Sequence, residues 1–340
     1  MTQAPPIYLD NHATTRVDPR VLEAMWPWFS ERYGNAGSSG HKFGREAAEA
    51  ARQGRGQLAA AIGAHSDEIV LTSGATESLN LALQGAVARA APERRHLIVG
   101  ATEHKAVLDC CKILVAQAGC RLTTVAVGED GRLDPAAIEA AMAEDTLLVA
   151  AMAVNNELGV VAPVAEIGAL CHQRGVYYLC DASQAIGRVA MDVNAQGIDL
   201  LAFTGHKIYG PKGIGCLYVR RREPRVRLAP LIHGGGQEGG LRSGTMVVPL
   251  VVAFGLAAEL AVAVRQTEEA RVGGLRQRLW SGLQARLPML ALNGSAEHRV
   301  AGNLNVAFAG VEASALMVAL PDLAVSSGAA CSTGAAEPSH

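Results

Sequence analysis

A chain of 340 residues, 49% hydrophobic and 18% charged, passes the roughly 250–300 residues at which single cores stop growing, so one large domain and a smaller one are expected. Its net charge of −2 offers no field for nucleic acid or an anionic membrane; the cluster Arg220, Arg221, Arg222, Arg225 and Arg227 reads as a solvated face. Seven cysteines without framework spacing and without a CxxC pair fit a reducing cytoplasm and predict no structural zinc site.

The first residues, MTQAPPIYLD, lack a basic region followed by an apolar run, so no secretory signal is expected. Leu9 to Thr15 reads as a short strand and turn, and a helix from about Pro19 carries Trp26 and Trp28. From Ile69 onward short apolar runs alternate with helical segments: IVLT, LIVG, LTTVAV, TLLVAAMAV, VYYLC, DLLAF and GCLYV. That alternation predicts βαβ units and a mostly parallel sheet covered by helices on both faces. Ligands of such sheets sit beyond the carboxyl ends of the strands, where this chain places its polar clusters.

Ser73-Gly74-Ala75-Thr76-Glu77 follows IVLT and opens a helix over 76–89, whose free N–H groups and dipole suit a phosphate. It is not a Walker loop, because no GK[ST] follows. Glu103 and His104 follow LIVG, Asn155 and Asn156 follow TLLVAAMAV, and Asp181 to Gln184 follow VYYLC. Thr204-Gly205-His206-Lys207 follows DLLAF within FTGHKIYGPKGIG. A lysine set among glycines directly after an apolar strand suits a Schiff base to a carbonyl. Further on, GGGQEGGLRSGT is a loop too polar for core, and a long helix is expected over 247–287. The membrane-like stretch Met246 to Val264 within it contains Pro249 and Glu259 and reads as a buried core helix. Leu304 to Phe308 alternates as a strand, and SSGAACSTGAAEP, almost all small side chains, is expected to be mobile.

A lysine Schiff base to pyridoxal phosphate needs an anion site, a carboxylate at the pyridine nitrogen and a donor to the phenolic oxygen. Gly74, Ala75 and Thr76 with Thr204 and His206 can hold the phosphate; Asp181 can pair with the ring nitrogen; Gln184 or Asn155 can reach the phenolate. His104 is the type of residue that stacks on the ring and moves protons near neutral pH. Each has an ordinary alternative as a helix cap, turn residue or core histidine. Their joint placement after successive strands favours the cofactor.

The segments YLDNHATT, YGNAGSSGHKFG, LTSGATESLNLAL, TEHKAVL, NNELG, CDASQAIG, FTGHKIYGPKGIG, GGGQEGGLRSGT and SSGAACS together resemble the cysteine desulfurases. These are pyridoxal-phosphate enzymes of fold type I, the aspartate aminotransferase-like fold, within the class V aminotransferase superfamily. The resemblance implies a large domain over 16–260 and a smaller α+β domain from 1–15 and 261–340. It implies Lys207 as the Schiff-base lysine and His104 as the ring-stacking acid/base. Asp181 and Gln184 would hold the ring, Asn155 the phenolic oxygen and substrate, and Ala75, Thr76, Thr204 and His206 the phosphate. Thr245 would reach the phosphate of a neighbouring subunit, implying a homodimer. Cys331 would carry sulfur from L-cysteine as a persulfide, on a long mobile loop of the branch that serves iron–sulfur assembly scaffolds and tRNA thiolation. Selenocysteine lyase, an aminotransferase of the same fold, or a non-catalytic pyridoxal-phosphate-binding partner are the alternatives. Family members continue past the position of His340, into a strand whose arginine clamps the substrate carboxylate. The resemblance therefore implies that a chain ending there lacks the clamp and part of the small-domain core.

Overall fold

A computed structural model describes residues 6–328 of the chain. Its centre is a seven-stranded sheet in the order Ile69–Thr72, Gly215–Val219, Leu200–Thr204, Tyr177–Asp181, Thr146–Ala150, His96–Gly100 and Arg121–Val125. Six strands run one way; Gly215–Val219 is antiparallel to both neighbours. Side chains alternate between two buried layers. Tyr178, Cys180, Leu201 and Phe203 join one core with Leu58 and Phe254. Leu179, Leu200, Ala202 and Leu217 join the other with Leu79, Leu83 and Cys111. Burial on both faces explains why these strands read as continuous apolar runs instead of alternating ones. The Phe203 and Phe254 rings meet at 5.1 Å, and truncating either to alanine costs about 3–5 kcal/mol.

Several boundaries differ from the sequence expectation. The strand near the N-terminus is Ile7–Tyr8, paired with Leu323–Ala324; residues 9–15 form a loop. The strand after Asp145 stops at Ala150, although Ala151 N and Ala153 N still donate to Leu179 O and Asp181 O of the neighbouring strand at 3.1 and 2.9 Å. Asp181 and Thr204 are the last residues of their strands, where ladder pairing fixes their backbones.

The helix Val248–Gln284 crosses Lys42–Ala60 closely enough that a Cβ on Gly255 would lie 2.6 Å from Gly54 Cα. Among the described residues it alone is long and apolar enough to cross a membrane. Its first half buries Val251, Ala253, Phe254, Ala257 and Ala258, as a core helix does. Its second half is more open, with Leu275 and Leu279 about half exposed, so the domain boundary expected near 260 falls inside one continuous helix. Beyond it lie the antiparallel pair Leu290–Leu292 and Val306–Phe308 and the helix Ala313–Ala319.

Candidate active site

The site is assembled at the carboxyl edge of the sheet. Lys207 ends a single 3-10 turn, Gly205–Lys207, directly after Thr204, and is only 8% exposed. Its Nζ donates to the main-chain oxygen of His12, which also accepts Gln184 Nε2 at 2.8 Å. The Arg188 guanidinium donates to Gln184 Oε1 at 2.7 Å and to Lys207 O at 3.3 Å, tying the two segments together. A strap of residues 14–15 closes over the lysine turn. Thr15 Oγ1 donates to His206 O at 2.9 Å and accepts Tyr209 N at 2.7 Å; His206 Nδ1 lies 3.1 Å from Thr14 Oγ1. Burial, aided by the charges of Lys207 and Lys212, pulls His206 down to about 4, so its ring is neutral.

The segment expected to hold an anion lies at the start of a helix. Helix Ala75–Arg89 starts from Gly74, which has no side chain to cap the first N–H groups and so leaves them for a ligand. Glu77 accepts Ser73 N at 2.8 Å and pairs with Arg242 at 2.8 Å. Burial opposes the Glu77 charge, but these donors outweigh it and hold the carboxyl below its usual range. Gly215 is required here: a Cβ would meet Gly74 C at 2.6 Å, so only glycine lets the loop lie against the sheet. The built Cβ of Gly74 in turn lies 4.0 Å from Thr204 Oγ1, which brings the helix terminus beside Thr204.

On the other side of the lysine, Asp181 is buried and accepts Ser183 N at 2.9 Å. Asn155 is buried as well; its Nδ2 donates to Thr102 O at 3.2 Å and its Oδ1 accepts the N–H groups of Glu157 and Leu158 at 2.9 and 2.8 Å. His104 caps helix Lys105–Ala118, its Nδ1 accepting Ala106 N at 3.1 Å. An accepting Nδ1 leaves the proton of the neutral ring on Nε2.

Three site members carry no role in the sequence analysis. Glu103 is buried; its Oε1 accepts Met152 N at 2.6 Å, while Oε2 has no partner among the described residues. Burial, with repulsion from Asp181, pushes its carboxyl well above the usual range and so favours the protonated form. His12 is drawn down to about 4 by burial and by nearby Arg188, Lys207 and Arg299, and its Nδ1 donates to Asn156 O at 3.0 Å. Arg188 is the third. The segments TEH, LDNHATT and SQAIGR held these residues in plain sight, but an acid between threonine and histidine reads as solvated.

Thr245 is not with the lysine. It is exposed and lines a separate cavity of about 380 Å³ with Asn35, Arg55, Glu238 and Met246. Cys331 lies outside the described residues. The six described cysteines are buried thiols. Burial raises Cys110 to about 11 and Cys111 and Cys171 to about 12, and lifts Cys120, Cys180 and Cys216 above the ordinary thiol range too. None of them is a thiolate near neutrality. Among the described residues no group of three acids, histidines or cysteines could hold a metal ion.

The donor set fits pyridoxal phosphate: a buried amine, an open helix N-terminus, a buried carboxylate at a strand end and a histidine whose Nδ1 accepts a backbone N–H. Comparison with known proteins agrees. The model of the aminotransferase class-V family matches residues 7–340. A protein named cysteine desulfurase IscS from Anaeromyxobacter dehalogenans (strain 2CP-C) is 54% identical over 335 residues, covering 98% of this chain and 82% of that protein. A solved NifS-like protein superposes with a TM-score of 0.89 at 36% identity, covering 94% of this chain and 86% of that one. A structure titled SspA in complex with cysteine gives a TM-score of 0.78 at 34% identity, covering 94% and 95%.

Proposed function

The chain belongs to the class-V aminotransferase family, and we propose that within it Lys207, His104 and Cys331 carry the reaction. The protein is a pyridoxal-phosphate-dependent cysteine desulfurase of fold type I, and its substrate is L-cysteine, which it converts to L-alanine. The observation that carries the residue assignment is the buried Lys207 amine, set at the sheet's carboxyl edge between Thr204 and the His12–Gln184 contacts. When bound, pyridoxal phosphate supplies an aldehyde that takes an amine and a ring that stores the electron pair of the substrate α-carbon.

Each residue then has a task its geometry supports. The N–H groups of Ala75 and Thr76, with Thr204 and neutral His206, would hold the phosphate dianion. Asp181 holds the proton on the ring nitrogen. Gln184 and Asn155 orient the ring and substrate. With the cofactor bound, Lys207 would be the amine that moves the α-proton of the substrate. His104, whose Nδ1 caps its helix, would hold a proton at Nε2 for the bound cofactor. The Cys331 thiolate attacks the substrate sulfur: a sulfur–sulfur bond forms, the substrate carbon–sulfur bond breaks with its electrons returning to carbon, and a proton completes alanine. The raised thiols of the six described cysteines support Cys331 as the nucleophile by contrast.

The division into a large domain, 16–260, and a small one, 1–15 with 261–340, is part of the same proposal. So is a homodimer: Thr245 is exposed on a glycine-rich loop and apart from Lys207, as a residue serving a second copy's phosphate must be. Unpaired buried thiols support a cytoplasmic setting, and an iron–sulfur scaffold or a tRNA-thiolation protein suits the persulfide as acceptor.

The test is a cysteine pulse followed by non-reducing peptide mass spectrometry. Persulfide should appear on the peptide with Cys331, and Cys331→Ser should bind cofactor and L-cysteine yet accumulate none. Borohydride should fix cofactor to the Lys207 peptide and to nothing in Lys207→Ala. Persulfide on Cys110, Cys180 or Cys216 but not Cys331 would overturn the assignment.

A further inference from the structure

The loop that carries Asn155 is held from two directions. Asn155 Oδ1 accepts the N–H groups of Glu157 and Leu158 at 2.9 and 2.8 Å. The carbonyls of those same two residues are taken from the other side, by the segment 293–305. Asn303 Nδ2 donates to Glu157 O at 3.0 Å and Asn305 Nδ2 to the same oxygen at 3.2 Å. Arg299 Nη1 donates to Leu158 O at 2.6 Å and to Asn303 Oδ1 at 2.6 Å. Main-chain bonds add to the seam: Val300 N donates to Gly159 O at 3.0 Å and Val161 N to His298 O at 2.9 Å. Gly159 has φ +70°, and a Cβ there would lie 2.4 Å from Asn303 Cβ, so the two segments touch without a gap.

Arg299 is an expensive residue for such a place. It is 8% exposed, and its remaining donors go to Ser295 O at 2.9 Å and to Asn293 O. Among the described residues no carboxylate pairs with it, although an unpaired buried cation carries a desolvation cost. Three backbone carbonyls and the Asn303 amide oxygen take its donors, and separate stretches of chain converge on one planar fork, a geometry lysine cannot reproduce.

We propose that Arg299 and Asn303 are positioning residues for Asn155: they fix the two peptide units against which its amide is set, and so determine how tightly the amino-acid substrate is held. The inference rests on Asn155 contacting cofactor and substrate, as read above. Both hold the 155–161 loop, and Asn303 Nδ2 also lies 3.5 Å from His12 Nδ1. The expected signature is a binding defect, because a loosened amide weakens the bound state while Lys207 and Asp181 stay in place.

The test uses cofactor-loaded protein and L-alanine, whose binding is read from the cofactor absorbance. Asn303→Ala should weaken L-alanine and raise KM for L-cysteine about tenfold, with kcat within about twofold. In an Asn155→Ala background the same change should add less than about twofold, because the residue it positions is gone. Amide exchange over 157–161 should accelerate while exchange over 178–184 stays unchanged. Arg299→Lys provides the same cycle with the charge kept, should Asn303→Ala lose its fold. Additive effects of the two substitutions, or a lower melting temperature with unchanged L-alanine binding, would overturn the inference alone. An Asn155→Ala enzyme that binds L-alanine as wild type does would remove the role given to Asn155, and the inference with it.

Discussion

Lys207 Nζ donates to the main-chain oxygen of His12, a residue 195 positions earlier in the chain. The same oxygen takes the amide of Gln184, so the start of the chain supplies the common acceptor for the amine and for a residue that flanks it. A backbone oxygen cannot titrate or be removed by a side-chain substitution. The place of the amine therefore depends on how firmly residues 12–15 are seated.

Thr15 seats them. Replacing it with valine keeps the volume but takes the hydroxyl acceptor from Tyr209 N, while His206 O keeps the Thr15 N–H at 2.8 Å. Tyr209 has φ +63°, a conformation that needs its neighbours to hold it. Thr15→Val should cost about 1–3 kcal/mol in denaturant unfolding. It should also speed cofactor loss from the Lys207 site, seen as decay of the absorbance band after dilution.

Thr245→Ala should weaken cofactor retention only where two copies are assembled, since Thr245 sits away from Lys207 within its own chain. Mixed dimers provide the measurement. A wild-type copy paired with a Thr245→Ala/Lys207→Ala double variant leaves one site that has Lys207 but faces the altered loop, and that site should lose cofactor faster than a wild-type site. Equal retention in monomer and dimer would contradict the shared site.

Glu103 gives a pH dependence with a definite sign. Its folded carboxyl is raised by burial above the unfolded value near 4.5, so the folded state binds the extra proton. Stability from this group is present at low pH and falls as pH rises from about 4.5 through the folded value. Glu103→Gln keeps an oxygen for Met152 N and cannot ionise. It should raise the thermal midpoint by about 2–4 °C at neutral pH and flatten its decline above pH 5. A wild-type-like slope in Glu103→Gln would show that the proton sits elsewhere.

His12 and His206 work in the opposite sense. Both are drawn down to about 4 by burial and by cationic neighbours. In the cofactor-free protein, stability tied to their neutral rings is present above about pH 6.5 and lost as pH falls toward 4. Nitrogen NMR of histidine-labelled protein should find both rings neutral at pH 5.5, and His12→Asn should shallow the acid limb of the melting curve.

The sheet and its polar edge were legible because strands buried on both faces write long apolar runs, and Asp181, Thr204 and Lys207 stand immediately at their ends. Thr76 and His104 were legible as helix starts, and the structure shows why the bland reading of His104 as a cap is correct without excluding its chemistry. What stayed hidden depends on contacts far apart in sequence. Nothing local in TEH tells that Glu103 is sealed against Met152, nor in LDNHATT that a carbonyl of His12 meets Lys207. Arg299 reads as one more charged loop residue until its four carbonyl and amide partners are seen together.

The closure between residues 12 and 207 also makes cofactor colour a clock for folding. A contact spanning 195 residues costs only modestly more loop entropy than one of half that span, but it can form only after the intervening strands have ordered the sheet edge. Helices such as Ala75–Arg89 and Lys105–Ala118 are local and form early. Far-ultraviolet signal should thus recover before the lysine-bound absorbance when unfolded chain is diluted into pyridoxal phosphate. The lag between them measures the arrival of the N-terminal strap.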